Sequence, residues 1–95
     1  MSYFNLQHTQ IAGLNVIERH SIADARGFFE RMFCHESLSQ LLRGKNIRQI
    51  NRSLTTKKGT VRGLHFQRPP HAEAKIVTCL KGEVCDVAVD LRCSD

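Results

Sequence analysis

The stretch "AKIVTCLKGEVCDVAVDLR", Ala74 to Arg92, decides the fold class. It is rich in β-branched residues and alternates in polarity on either side of Lys81-Gly82, the pattern of two strands joined by a tight turn. Closing the turn between Leu80 and Glu83 sets a register. One face then carries Lys75, Val77, Cys79, Val84, Asp86 and Asp90, with Asp86 diagonal to Lys75. The other carries Ile76, Thr78, Leu80, Glu83, Cys85, Val87, Val89 and Leu91; being more apolar, it is expected to meet a core. In this register Cys79 opposes Val84 and Cys85 lies on the other face, so a Cys79–Cys85 disulfide would need a slipped register. With Cys34 and Cys93 they are expected to be free thiols in a reducing compartment.

Upstream, "TVRGLHFQ" reads as a strand and "RPPH" as a loop, because consecutive prolines have no ladder donors. "IRQINRS" alternates, placing Gln49, Asn51 and Ser53 on one face. "SLSQLLRG" predicts a short helix near residues 37–43, with Ser37 as cap, Gln40 completing a capping box and Gly44 at its end. Further back, "YFNL", "IAGLNVIERH" and "GFFERMFCH" are strand candidates, and "SIADARG" is a turn-rich link. The sum is one mostly β domain over residues 1–95, a sandwich or barrel with one short helix.

Composition is that of an ordinary globular chain, 41% hydrophobic and 24% charged. The longest apolar runs are far shorter than the ~20 residues a bilayer-spanning helix needs. The start, "MSYFNLQHTQ", lacks the features of a signal peptide, so a soluble cytoplasmic protein without a membrane partner is expected. The net charge of +5 and pI of about 9.4 favour an anionic partner. Nucleic acid is not expected, since the arginines form no stripe and the aromatics lack recognition-motif spacing.

"RGLHFQRPPH", Arg62 to His71, is the densest chemistry in the chain. A metal is the first candidate. Gly59, five residues and then His65 resemble a degenerate cupin motif, with Glu73 near the place of its acid. The second histidine position holds Gln67, a poor ligand for transition metals, and no C-x-x-C pair exists to hold zinc. A general base is the second candidate, because imidazole titrates near neutrality. Lys75 can then stabilise an enolate oxygen, and a bulge at Gly63 would turn Arg62 and His65 to the same side. On the residues alone, a catalytic His65 and a satisfied core histidine both stay open.

"DARGFFER", "RQINRS", "TVRGLHFQRPP" and "AKIVTCLKGEVCDVAVDLR" together resemble the dTDP-4-dehydrorhamnose 3,5-epimerase family, in its order and spacing, over about residues 14–92. The resemblance implies a cupin-like jelly roll, of which this chain would be the incomplete N-terminal half. It also implies a homodimer, no metal or other cofactor, and a dTDP-4-keto-6-deoxy sugar as substrate. The biological setting would be rhamnose supply for surface polysaccharide such as lipopolysaccharide. By motif, His65 resembles the general base and Lys75 the enolate-stabilising residue; Asp86 completes the catalytic set. Arg26 and Arg62 resemble anion and nucleotide contacts. Gln49 and Asn51 resemble two members of a substrate-contacting triplet whose central acid is here Ile50. Phe28 and Phe29 resemble aromatics near the nucleobase.

Two departures stand out. The acid that usually follows the arginine by five residues is replaced by Arg31, and Glu30 comes one position early. Family chains also run to roughly twice this length, and their tyrosine acid lies in the second half. Tyr3, the only tyrosine here, matches no motif position. The resemblance therefore implies a fragment, a truncated product or one half of a split protein.

Overall fold

The computed structural model describes residues 2–92, arranged as two compact units. One unit comprises the chain up to Gly44 with the segment from Asp86 onward; the other is Lys45–Cys85. The regular elements all lie in the first unit. β1 (Phe4–His8) pairs antiparallel with β2 (Asn15–Arg19), matching Phe4 with Arg19 and His8 with Asn15. The turn between them is held by the Thr9 hydroxyl, which donates to the Leu14 carbonyl at 2.8 Å and accepts from the Ile11 N–H at 3.1 Å. The imidazole Nδ1 of His8 donates to Asn15 Oδ1 at 2.8 Å and closes the last pair.

The "SIADARG" segment is more ordered than a link. Ile22–Asp24 forms β3 and Gly27–Phe29 forms β4, a hairpin matching Ile22 with Phe29 and Asp24 with Gly27. Its loop is Ala25-Arg26. The Asp24 side chain accepts the Arg26 N–H at 2.8 Å, an Asx turn that fixes the reversal. Gly27 follows with φ of +144°, backbone that side-chain-bearing residues seldom adopt. Only the first three residues of "GFFERMFCH" are therefore strand.

The helix forms as α1, Ser39–Leu42. Its N-cap is Leu38, with no side-chain capping bond, so Ser37 does not cap it. Ser37 instead hydrogen-bonds the Cys34 thiol, which that contact holds below its usual pKa. The stop is as expected in kind but one residue early: Arg43 takes the left-handed conformation at φ 51° and Gly44 follows at φ 78°. The buried apolar side chains among the described residues are Phe4, Leu38 and Leu42.

The segment from Asp86 is tied to this unit by a clasp. The Arg92 guanidinium donates to the Ala12 carbonyl and to both oxygens of Asp90. These bonds, with the Arg92 N–H, hold the Asp90 carboxyl down at about 2.

The strands expected at 47–53, 60–67 and 74–92 are not formed. These segments lack ladder partners among the described residues, and the Ala74–Arg92 hairpin is divided between the units, its boundary at Cys85. Their apolar side chains stay exposed, with Ile50 at 85% and Val61 at 87%. A strand is stabilised by its partner and by the face it buries, and a lone two-stranded ribbon is marginal in water. Alternation alone does not supply either. The turn at Lys81-Gly82 survives as a bend, with Gly82 at φ 86°. Cys34, Cys79 and Cys85 are free thiols; Cys93 lies outside the described residues. No helix among the described residues is long and apolar enough to cross a membrane. Among the described residues the regular elements are mostly β, with two small sheets and one short helix.

Candidate functional site

In the first unit the β3–β4 hairpin carries Arg26, Phe28 and Phe29 around an open concavity of about 550 Å³. Its other walls include Tyr3, Ile22 and Asp24. Phe28 and Phe29 are exposed, at 71% and 52%, and so are available to a planar ligand. Arg26 is not a loose cation: its Nη2 donates to Asp24 Oδ2 at 2.8 Å. That guanidinium, with the Arg26 N–H, holds the Asp24 carboxyl below the usual carboxylate range. Glu30 is half-buried and does not line the concavity. Asp86 is exposed on the segment returning to this unit.

Two further residues emerge here. Tyr3 meets Phe29 edge to face, with ring centroids 5.9 Å apart. The Arg31 guanidinium lies over the Tyr3 ring at 4.3 Å. Neither stands out in the sequence, since Tyr3 matches no motif and Arg31 is a departure from one. A register argument would have found Tyr3. The β1–β2 pairing brings the Tyr3 carbonyl to the His20 N–H at 2.9 Å, two residues before β3 begins.

In the second unit, His65, Arg62, Gln49, Asn51 and Lys75 are all exposed. Arg62 Nε donates to Thr55 Oγ1 at 3.1 Å. Lys75 Nζ pairs with Glu73 at 3.3 Å, so the acid near the cupin position serves as an ion-pair partner. Gly63 has φ of +104°. A Cβ there would stand 3.2 Å from His65 Nδ1, so any larger residue would press on the imidazole, on backbone that already favours glycine. The expected bulge is absent, because no ladder runs through this segment. No hydrogen bond or ion pair links His65 to Arg62 or Lys75 among the described residues. No group of three or more His, Cys, Asp or Glu among them converges to hold a metal ion.

Chemically, the first unit offers aromatic faces and guanidinium groups. The second offers an imidazole, an ammonium group, a guanidinium and two side-chain amides. The former suit a planar base and a phosphate; the latter suit proton transfer next to a carbonyl.

Comparison with known proteins bears on both. The model of the dTDP-4-dehydrorhamnose 3,5-epimerase family matches residues 8–95. A protein of that name from Sinorhizobium fredii is 40% identical over 86 residues, 90% of this chain and 44% of its own length. That of Shigella flexneri is 40% identical, covering 93% of this chain and 49% of its own. That of Escherichia coli is 39% identical over 93% of this chain and 48% of its own. The chain thus spans about half the length of these curated relatives. No solved structure matches it.

Proposed function

The chain belongs to the dTDP-4-dehydrorhamnose 3,5-epimerase family, and from that premise we propose that it carries the nucleotide-binding and proton-abstracting half of such an isomerase. The observation that carries this reading is the extent of the family match. Every assigned residue, from Arg26 to Asp86, falls inside residues 8–95.

The substrate is dTDP-4-dehydro-6-deoxyglucose and the product dTDP-4-dehydrorhamnose. The C4 ketone acidifies the hydrogens on C3 and C5. His65 accepts one of these as a proton, and the electron pair left on carbon delocalises onto the C4 oxygen. Lys75 stabilises that enolate charge as a positioned cation. Its pairing with Glu73 is exposed on both sides, so exchanging that partner for an enolate costs little. Arg62 and Arg26 hold the diphosphate, Gln49 and Asn51 the sugar, and Phe28 and Phe29 the base. Inversion needs a proton delivered to the opposite face of the ring. None of the residues assigned here delivers it, and the proposal places that acid in the half of the relatives' length this chain does not span.

In this proposal the chain is the N-terminal part of a cupin-like jelly roll, in a cytoplasmic homodimer that supplies deoxysugar for surface polysaccharide. Calorimetric titration with dTDP tests the nucleotide half: saturable heat is expected, and its absence at millimolar dTDP contradicts the reading. The half-length match also favours a second reading, a cupin remnant that binds dTDP without turnover. Solvent deuterium exchange into C3 or C5 of the keto sugar separates the two.

A further inference from the structure

Cys79 and Cys85 stand on either side of the Lys81-Gly82 bend. Both are exposed free thiols, and both belong to the second unit. The Cys79 thiol is folded in over the bend, its Sγ donating to the carbonyls of Lys81 at 3.5 Å and Gly82 at 3.4 Å. In a strand that thiol would stand out from the pleat instead. The bend is also not a closed hairpin turn. The favoured two-residue turns need positive φ at their first central residue, here Lys81. Gly82 is left-handed at φ 86°, but Lys81 is not, Arg43 being the one side-chain-bearing residue described with positive φ. A ladder and a disulfide ask opposite things of this cysteine pair. A ladder closed at Leu80 and Glu83 sends Cys79 and Cys85 to opposite faces, whereas a disulfide needs their Cβ atoms about 4 Å apart. With no ladder through this segment, nothing holds the two thiols on opposite faces.

We propose that Cys79 and Cys85 are a redox pair whose disulfide forms only while the Lys81-Gly82 hairpin is open, so that oxidation locks residues 74–92 out of their ladder. The oxidant is a small-molecule disulfide such as glutathione disulfide. One cysteine thiolate attacks it, forming a mixed disulfide and expelling one thiol. The second thiolate attacks the protein sulfur of that mixed disulfide, forming the Cys79–Cys85 bond and expelling the other thiol. Two electrons pass to the oxidant, and the two cysteine protons end on the released thiols. Excess thiol reverses both steps, so the lock is transient in a reducing compartment, as redox-sensing disulfides are. Lys75 precedes Cys79 and Asp86 follows Cys85. That the lock also keeps these two from assembling rests on the function proposed above; the thiol chemistry does not.

Trypsin puts each cysteine in a separate peptide, Cys79 in IVTCLK and Cys85 in GEVCDVAVDLR. After oxidation of the full chain with glutathione disulfide, mass spectrometry should find these two peptides joined. Pairing of either with Cys34 or Cys93 instead, or glutathione left on both, overturns the proposal. Competition with the ladder has its own test. Lys81→Asn puts Asn-Gly in the turn, which closes without the left-handed cost of a lysine, and should shift the Cys79–Cys85 equilibrium toward thiols by about threefold. In Val84→Cys/Cys85→Ser the two thiols oppose each other across the ladder, so the same Lys81→Asn change should shift the equilibrium toward the disulfide. Cys34→Ser and Cys93→Ser in both backgrounds make the intact mass the readout. Shifts in the same direction, or no shift in either background, overturn the claim that the disulfide requires the open hairpin. Neither measurement involves a nucleotide sugar, so its failure leaves the proposed function standing, and absence of dTDP binding leaves the redox pair standing.

Discussion

His65 owes its position to a residue that has no side chain. The imidazole fills space beside Gly63 that a Cβ would contest at 3.2 Å, on backbone at φ +104°. Gly63→Ala should therefore displace His65 and depress proton abstraction strongly, while calorimetry shows dTDP affinity unchanged; equal loss of both would contradict this placement. The clasp at Arg92 makes a separate prediction about pH. The Asp90 carboxyl is held down at about 2 by Arg92, from an ordinary value of 3.8. A depressed carboxylate adds stability above its ordinary value and loses it as pH falls through its folded value. The clasp should thus be whole above about pH 4 and open near pH 2. An NMR titration of the Asp90 carboxyl carbon checks it: a midpoint near 3.8 would mean that the clasp does not form in solution. At this scale the sequence exposed His65, Lys75 and Arg62 through local motifs. It hid Tyr3 and Arg31, because their contact spans β1 and the end of β4 and follows from strand register, not from any short pattern.

The elements that formed are those closed by nearby residues. β1–β2 and β3–β4 are hairpins with short loops, and each loop carries its own side-chain bond, from Thr9 in one and Asp24 in the other. The helix was legible from "SLSQLLRG", although its cap was not, because Ser37 bonds the Cys34 thiol instead. Leu38, immediately before α1, is 1% exposed, the most deeply buried large side chain described. Leu38→Ala should cost about 2–5 kcal/mol in chemical denaturation. A loss below about 1 kcal/mol would show that α1 is not anchored through this residue. "AKIVTCLKGEVCDVAVDLR" was the clearest strand pattern and yet forms no ladder here. Its alternation records a preference for a pleated, half-buried setting, and that preference is realised only when a neighbour covers one face.

Across the whole molecule, the division of labour follows the units. The first has the regular elements and the aromatic concavity; the second has His65, Lys75 and Arg62 on irregular chain with exposed apolar residues such as Val61, Leu64 and Phe66. The family match covers both, and the chain spans about half the length of its relatives. With this much apolar chain exposed, few contacts order the segment proposed to abstract the proton, so the proposed exchange is expected to be slow. The most direct test is solvent deuterium exchange into dTDP-4-dehydro-6-deoxyglucose, followed by NMR in heavy water. Deuterium should enter at C3 or C5 with the unaltered chain, and His65→Ala should abolish it. No incorporation despite dTDP binding, or incorporation that survives His65→Ala, would contradict the assignment of His65 as the base.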